Sequence, residues 1–415
     1  MKTNLDGILE YTYTPRPALA PAQSSQAVFQ GYLRPDGRAG VRNEVWIIPT
    51  VGCVNGTAKR LEELAQKAYG HKCDGVYAYL HNMGCSQLGE DQETTQKLLA
   101  GIINNPNAGA VLVLGLGCEN NNMDVFRPFL GDYDAQRIRF LVTQEVEDEY
   151  EAGMSLLEEL TDYASSFRRG EIPASKLVLG FKCGGSDAFS GITANALCGR
   201  INDRLTAQGG STVLTEVPEM FGAETLLMER AVSREVFAKT VDLINNHKNY
   251  FTRYNQTIYE NPSPGNKKGG ISSLEEKSLG CVQKGGRAPV ADVLNYGEQI
   301  CKSGLNLLTG SGNDQISCTN MVASGVTMIL FTTGRGNPFG SPVPTLKISS
   351  NSRLHQKKPH WIDFNAGQIL EGRSFEQATD DLFQLILDVA SGSVHARNEQ
   401  NGYRDISIFR DGVIL

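Results

Sequence analysis

The chain has 415 residues, more than one hydrophobic core usually organises, so two domains, or at most three, are expected. With 40% hydrophobic and 20% charged residues, the composition is that of a globular protein and excludes disordered, collagen-like and coiled-coil classes. The 46 acidic residues exceed the 39 basic ones, and without a basic run the net charge of -7 disfavours nucleic acid as a partner.

No apolar stretch approaches the roughly 20 residues that cross a bilayer, and the first residues contain no apolar signal segment. We therefore expect no membrane contact and a cytoplasmic location. The nine cysteines are an odd number and widely spaced, which predicts reduced thiols rather than a disulfide framework. Reduced thiols are free to bind metal.

Residues 1–30 are rich in proline, alanine and glutamine and lack an apolar period, which predicts an extended linker. A first domain, residues 31–170, follows with strands that alternate with helices. Its predicted strands are 45–48, 75–80, 110–114 and 139–143, and its predicted helices lie near 58–69, 91–103 and 146–167.

A second domain, residues 171–415, opens with a strand at 177–181 and has helices near 193–207 and 224–245. A Gly/Ser/Lys-rich connector at 261–273 interrupts it, and a loop of that length is usually functional or disordered. Strands that alternate with helices need crossover connections. The sequence therefore predicts an α/β fold of two Rossmann-like domains with mostly parallel sheets.

Three strands of the first domain each end in Gly-Cys, at Cys53, Cys85 and Cys118. The separations, 32 and 33 residues, are close to the ~30 of one strand-helix-strand unit. Because the carboxyl ends of neighbouring parallel strands meet at one sheet edge, the three thiols are expected there together. Cys183 follows the first strand of the second domain, so its proximity depends on how the domains dock.

Three thiolates suit iron, either as a mononuclear site or as a cluster. The alternative is that each cysteine is a small buried apolar residue at a strand end. His81 lies in a strand-end loop four residues before Cys85, where it is a candidate base or fourth ligand, or a structural histidine.

Two further segments carry donors for an anion. Asn266 and Lys267 lie in the segment Asn261–Gly270, where the lysine would fix a carboxylate as a point charge. Arg335 follows the apolar strand 328–331 and would bind a carboxylate bidentately. The alternatives are a solvated loop and a surface arginine on a glycine turn.

Several long and distinctive sequence motifs are spread over most of the chain. They include Pro49-Thr50-Val51-Gly52-Cys53, Gly84-Cys85-Ser86-Gln87-Leu88-Gly89, Gly115-Leu116-Gly117-Cys118-Glu119, Cys183-Gly184-Gly185-Ser186-Asp187, Glu216-Val217-Pro218-Glu219-Met220-Phe221 and Leu279-Gly280-Cys281-Val282. In these motifs the chain resembles the altronate/galactarate dehydratase family, and the resemblance extends from about Asp6 to the carboxyl terminus.

The resemblance implies a hydro-lyase that dehydrates D-altronate to 2-dehydro-3-deoxy-D-gluconate in hexuronate catabolism, with Fe²⁺, or Mn²⁺, as the divalent metal. Within the family words we expect metal ligation by Cys53, Cys85 and Cys118. The expected catalytic groups are His81, Asp187 and Lys277, and the expected substrate-binding groups are Asn266, Lys267 and Arg335.

Other functions stay open at this point. Galactarate or another sugar acid is an alternative substrate. The family's fused members begin with a small domain before the point where this chain starts, which predicts a large subunit with a separate small subunit. On that view the isolated chain would be a non-catalytic scaffold. An iron-sulfur cluster with redox chemistry is a third possibility, and a homo-oligomer is compatible with all three.

Overall fold

The computed structural model describes residues 10–14 and 26–415. The described strands are β1 (Val28–Leu33), β2 (Ala39–Gly40), β3 (Glu44–Pro49), β4 (Val76–Ala78), β5 (Ala108–Gly115), β6 (Ile138–Val142), β7 (Gly170–Pro173), β8 (Val178–Cys183), β9 (Ser211–Leu214), β10 (Val290–Leu294), β11 (Gly304–Leu308), β12 (Met328–Thr333), β13 (Thr345–Ser349) and β14 (Phe364–Asn365). The described helices are α1 (Asn55–Tyr69), α2 (Gly89–Ile103), α3 (Met123–Phe126), α4 (Glu149–Ser165), α5 (Ala194–Ala207), α6 (Thr225–Met228), α7 (Arg234–Arg253), α8 (Pro264–Lys268), α9 (Leu274–Val282), α10 (Asp314–Ala323), α11 (Ser352–Lys357), α12 (Phe375–Ala390) and α13 (Arg397–Gln400).

The first α/β region is built on a four-stranded parallel sheet in the order β4-β3-β5-β6. Strands β3 and β5 are buried at every position, which is why their sequences read as continuous apolar runs. Helices α1 and α4 cover one face through residues such as Leu61 and Leu157. Helix α2 covers the other face, where Leu98 and Leu99 join the cluster around Trp46. The predicted strand-helix alternation is confirmed here.

The second region is built on a seven-stranded parallel sheet in the order β10-β11-β9-β8-β12-β13-β14. The chain starts this sheet at β8, builds outward through β9, and later returns to the opposite side of β8 with β12. The strand order therefore reverses between β8 and β12. Open α/β sheets bind their ligands outside the carboxyl ends of the strands at such a switch point. The α/β fold class with mostly parallel sheets is confirmed.

A small antiparallel sheet, β2-β1-β7, was not expected from the sequence. Residues 28–30, which the sequence placed in the linker, belong to β1, where the buried Phe29 alternates with exposed neighbours. The strand has only six residues, too few for its alternation to stand out beside the proline-rich stretch. Of the remaining predicted linker, residues 1–9 and 15–25 lie outside the described part of the chain.

The predicted helix at 224–245 is wrong in its bounds. It is two helices, α6 and α7, and α7 continues to Arg253. Ser233 starts α7 because its side chain accepts a hydrogen bond from the backbone N–H of Val236. A serine with that role was available in the sequence as a helix-start signal.

The two regions are packed directly against each other through helices α2 and α10. A Cβ added at Gly101 would lie 2.2 Å from the carbonyl oxygen of Ala323, so the helices touch backbone to backbone at this point. The side-chain amide of Asn105 donates to the carbonyls of Val322 and Val326, both at 2.9 Å. A single apolar cluster, which includes Leu99 and Phe331, crosses the junction and fixes the two sheets relative to each other. In the described part of the chain no helix combines the length and the apolar character needed to cross a membrane.

Candidate functional site

Two thiols and a carboxylate converge beside the carboxyl edge of the seven-stranded sheet. Cys183 is the last residue of β8, Glu219 lies in the turn after β9, and Cys281 lies in α9. The Glu219 Oε2 atom accepts from the Cys183 thiol at 3.0 Å and from the Cys281 thiol at 2.9 Å, and the two sulfurs are 3.5 Å apart. Within residues 10–14 and 26–415, this is the one group of three His, Cys, Asp or Glu ligand atoms that lie within 4.8 Å of one another.

Three lysines surround this group. Lys182 forms an ion pair with Glu216, and the Lys284 Nζ lies 2.9 Å from the other Glu216 oxygen. Lys277 pairs with Glu219 at 2.8 Å. We call the set the lysine–glutamate–thiol cluster. Its members are Lys182, Cys183, Glu216, Glu219, Lys277, Cys281 and Lys284, and all of them are buried.

The backbone of the strand-end turn sets this geometry. Glu216 follows β9 with φ at 69°, in the left-handed region that a glutamate rarely adopts. This conformation turns the chain at once into the short 3-10 helix Val217–Glu219. As a result Glu216 faces Lys182 and Lys284, while Glu219 faces the two thiols and Lys277. A strained backbone at a strand end is common at functional sites.

The cluster is close to electrically neutral. Its three lysines face two glutamates, and Asp314 adds a third carboxylate, 2.8 Å from the Lys182 Nζ. Buried charges are tolerated only when they are paired in this way. A divalent cation bound by two thiolates would keep that balance, because its charge equals that of the two protons it displaces.

The ionisation of the cluster follows from its charges. Burial alone would raise the pKa of Glu219, but Lys277, Lys182 and Lys284 outweigh burial and hold that pKa well below its usual range. Burial and the negative charge of Glu219 instead raise the pKa of Glu216. Burial would lower the pKa of Lys277, but Glu219 and the two thiols raise it above its usual value. The Glu219 carboxylate is thus held ionised, and the Glu216 carboxylate is a stronger base than usual.

The sulfur and carboxylate donors suit a particular class of metal. Two thiols with one carboxylate match a transition metal such as iron or zinc better than magnesium or calcium, which prefer all-oxygen sites. The Cys281 pKa lies well above its usual value, first because of the hydrogen bond with Cys183 and then because of burial. Metal binding at this group would therefore release thiol protons.

The cluster reaches solvent through Asp314, whose side chain is 26% exposed. Asp314 Oδ2 accepts from the Asn337 side chain at 2.6 Å, and Asn337 belongs to the loop that follows β12. The exposed Arg335 lies in the same loop, whose backbone is tied to the end of β8 by the bond from Arg335 N–H to the Gly185 carbonyl, 3.0 Å. This opening lies between β8 and β12, where the strand order reverses.

Two of the predicted residues lie in direct contact beside the cluster. The Lys277 Nζ is 3.1 Å from Asn266 Oδ1 and 3.1 Å from Asn261 Oδ1, in addition to its pair with Glu219. Asn266 also donates to the Ser186 carbonyl at 3.0 Å. The ammonium group therefore has three acceptors, which is the full number it can satisfy.

Asp187 is buried next to this pair and is held by hydroxyl and amide donors. Its Oδ1 accepts from Ser190 at 2.9 Å and from Ser350 at 2.7 Å, and its Oδ2 accepts from Asn351 at 3.0 Å. A Cβ at Gly334 would overlap this carboxyl group, so the loop that carries Arg335 rests directly on Asp187. The contacts make Asp187 a support for that loop, and its role as an acid or base stays a prediction.

The segment 261–273 is not a structureless connector. Ser263 and Asn266 form a capping box that starts the short helix α8, which the proline- and glycine-rich composition concealed. Lys267 lies on this helix and is exposed, as Arg335 is. Both cations are free of the buried ion pairs, and their binding of a substrate carboxylate stays a prediction.

The other predicted group lies at the carboxyl edge of the four-stranded sheet. Strand β3 lies between β4 and β5, so Cys53, Cys85 and Cys118 follow neighbouring parallel strands, as expected. All three are exposed, and their sulfurs do not form a set within 4.8 Å of one another. The structure thus places these thiols at one edge without a closed ligand set. Their role as metal ligands stays a prediction.

His81 at this edge is buried and has backbone partners on both ring nitrogens. Nδ1 accepts from the Met83 N–H at 3.1 Å, and Nε2 lies 2.7 Å from the Pro49 carbonyl, which makes Nε2 the protonated nitrogen. Burial lowers the pKa of His81 to about 4. A role as base or metal ligand would require one of these hydrogen bonds to break, and it stays a prediction.

Sequence reasoning missed Lys182, Glu216, Glu219, Cys281 and Lys284 as site residues. The signal was present for part of this set, because Lys182 and Glu216 stand at strand ends of the second sheet, just as the Gly-Cys words do in the first. Applying the same strand-end rule to both sheets would have found them. Cys281 and Lys284 come from the region of α9, and only the tertiary packing places them there.

Comparisons with known proteins agree across nearly the whole chain. Residues 31–165 match the model of the D-galactarate dehydratase/altronate hydrolase second domain, and residues 174–414 match the D-galactarate/altronate dehydratase C-terminal model. The chain is 52% identical to an altronate dehydratase of Bacillus subtilis and 48% identical to one of Escherichia coli. Each match covers 100% of this chain and 84% of the relative. It is 34% identical to a galactarate dehydratase (L-threo-forming) of Escherichia coli, over 92% of this chain and 76% of that protein.

Proposed function

The chain belongs to the D-galactarate/altronate dehydratase family, and we propose that it is the hydro-lyase that converts D-altronate to 2-dehydro-3-deoxy-D-gluconate in hexuronate catabolism. The two family models thus confirm the resemblance that the sequence motifs indicate. The assignment of D-altronate as the substrate rests on one observation. About half of all positions of the chain are identical to those of two altronate dehydratases. The galactarate dehydratase is more distant, so galactarate is the less supported substrate.

The reaction removes water across C2 and C3 of the sugar acid. A base takes the C2 proton, the C3–O bond breaks, and an acid protonates the departing hydroxyl so that it leaves as water. The resulting enol then tautomerises to the 2-keto acid. The base must be deprotonated and the acid protonated at neutral pH, and the negative charge that develops beside the carboxylate needs nearby cations.

The lysine–glutamate–thiol cluster supplies groups for these tasks. Glu216 is proposed as the base, because burial and the charge of Glu219 raise its pKa above the usual value and so make its carboxylate a stronger base. Lys277 is proposed as the acid, because its ammonium group is held protonated between Glu219 and Asn266. Lys182 and Lys284 place positive charge beside Glu216.

The metal is proposed to be Fe²⁺, held by Cys183, Glu219 and Cys281. The donor set fits, since two sulfurs and one carboxylate oxygen lie within 4.8 Å of one another. When bound, a divalent ion supplies positive charge that stabilises a developing enolate. The earlier assignment to Cys53, Cys85 and Cys118 is the competing proposal.

The substrate carboxylate is proposed to lie at the opening beside Asp314, where Arg335 can bind it bidentately. Lys267 would add a second cation from α8. A separate small subunit gains no support from the two altronate dehydratases, because each carries its additional residues within a single chain. A cytoplasmic location and a homo-oligomer stay predictions.

The test is a substrate panel. The purified chain, supplied with Fe²⁺ under anaerobic conditions, is incubated with D-altronate, galactarate and other aldonates and aldarates, and the 2-keto acid is quantified. We expect D-altronate to give the highest kcat/KM. Turnover of galactarate alone would reassign the substrate, and no turnover of any sugar acid would contradict the proposal for this chain.

A further inference from the structure

A cavity lies beside the seven-stranded sheet, between α7 and the carboxyl-terminal segment. Its volume is about 890 Å³, which is ample for a small organic ligand. One face of α7 forms a wall, and the ends of β10 and β11 with the segment around Phe409 form the others. The α7 residues that line it are Lys239, Asp242, Leu243, Asn246, His247, Asn249, Tyr250, Thr252 and Arg253.

A buried histidine in this wall lacks a hydrogen-bond partner. His247 is 8% exposed, and its Nε2 atom has no partner in the described structure. Its ring is packed among Phe221, Tyr250 and Phe251, with centroids 5.7–6.3 Å away. Because buried polar atoms are nearly always satisfied, an unpaired one in a cavity wall indicates that a ligand or ordered water completes it.

The charges of the cavity exclude an anionic ligand. Arg253 is paired with Asp411, and Lys239 is shared between Glu235 and Asp292. Both cations that line the cavity are therefore already neutralised. Asp242 has no such partner in the described structure, so the walls offer no free positive charge to a carboxylate or phosphate.

The remaining groups suit hydroxyls and a ring face. The exposed amides of Asn246 and Asn249, the Asp242 carboxylate and the unpaired His247 nitrogen offer donors and acceptors side by side. Phe409 stacks on Tyr296 in parallel at 5.0 Å, giving an aromatic surface next to them. An aromatic surface next to several uncharged or acidic polar groups is suited to binding a neutral, polyhydroxylated ring.

We propose that this cavity is a binding site for a neutral sugar, separate from the site of dehydration. It adjoins that site, since Thr309 in its wall begins the segment whose Gly312 carbonyl accepts from the Lys182 Nζ at 3.2 Å. The proposal does not depend on the identity of the dehydrated acid, because binding is measured without turnover.

The experiment uses saturation-transfer NMR and calorimetry on the full chain with D-glucose, D-galactose and D-mannose, and with D-gluconate as the charged comparison. Saturable binding of a neutral hexose is expected, and Asn246→Ala and Asn249→Ala should each weaken it about tenfold. His247→Phe should abolish it, while Asn104→Ala, an amide at the end of α2, should leave it unchanged.

Three results would overturn the proposal. The first is no saturable binding of a neutral hexose up to about 50 mM. The second is binding of the sugar acid alone. The third is hexose binding that Asn246→Ala and Asn249→Ala do not change. Because these two asparagines are exposed, their variants keep the test decisive even if His247→Phe does not fold.

Discussion

The sulfur atoms of Cys183 and Cys281 lie 3.5 Å apart, although 98 positions separate them in the chain. Strand β8 delivers one thiol and helix α9 delivers the other, and Glu219 accepts a hydrogen bond from both. The contact places soft donors among the lysines and glutamates proposed for proton transfer. It also defines two competing sets of cysteines, one at the edge of each parallel sheet.

Metal content distinguishes these two sets. Cys183→Ser and Cys281→Ser should each lose most of the Fe²⁺ that the wild-type chain retains after anaerobic desalting, because each removes a sulfur from the closed donor set. Cys85→Ser and Cys118→Ser should retain it. Cys198→Ser is the matched control for a buried cysteine outside the set. Loss of iron only in the Cys85 and Cys118 variants, measured by elemental analysis, would move the metal to the four-stranded sheet.

Arg335 should determine substrate affinity rather than the rate of the chemical step. Replacing it with Met removes a charge-assisted contact to the carboxylate, so KM for D-altronate should rise about 10- to 100-fold while kcat changes little. Steady-state kinetics measure both constants. Arg353→Met removes the same charge from an exposed position on α11 and should leave KM unchanged. Equal effects of the two substitutions would show that only the general charge of the surface matters.

His81 should make the protein sensitive to acid. Its pKa is lowered by burial from 6.5 to about 4, so between these pH values the unfolded chain binds a proton that the folded protein does not. The free energy of unfolding should therefore fall as the pH falls through this window, by about 3 kcal/mol from this residue alone.

His81→Gln removes that titration and should flatten the pH dependence by a similar amount, whatever its effect at pH 7. Denaturant unfolding at a series of pH values measures the slope for both proteins. His247, with a pKa also near 4, is present in both and cancels in the comparison. Identical slopes would mean that His81 is not buried as a neutral ring.

The contact between helices α2 and α10 should not tolerate an added methyl group at Gly101. Gly101→Ala places a Cβ 2.2 Å from the Ala323 carbonyl oxygen, so helices α2 and α10 must separate, at a cost of about 1–3 kcal/mol. Gly56→Ala in α1 meets no atom within 4 Å and should instead stabilise by roughly 0.5–1 kcal/mol through helix propensity. Thermal unfolding of both variants checks the sign, and a stabilised Gly101→Ala protein would contradict this packing.

The sequence predicted the parallel sheets well because their strands are buried on both faces and read as uninterrupted apolar runs between helices. It also placed Cys53, Cys85 and Cys118 at one sheet edge, since the spacing of strand-helix units reports neighbouring strands. The distances between the three sulfur atoms could not be predicted, because the end of a strand fixes where a loop begins but not where the side chains of that loop point.

The cluster itself needed tertiary information. Lys277 and Asn266 were selected separately, and only the packing of α8 against α9 brings them to 3.1 Å. Glu216 and Glu219 belong to one of the family motifs, but the motif alone assigns them no role. The left-handed backbone conformation of Glu216, which directs its carboxylate at Lys182 and Lys284, cannot be read from the residue type.

The rate of 2-keto acid formation from D-altronate by Glu216→Gln tests the central claim most directly. The amide keeps the shape of the side chain but cannot take the C2 proton, so kcat should fall about 10²- to 10⁴-fold while the protein still unfolds cooperatively and still binds Fe²⁺. A folded Glu216→Gln protein that turns over D-altronate within threefold of the wild-type rate would contradict the assignment of dehydration to the lysine–glutamate–thiol cluster.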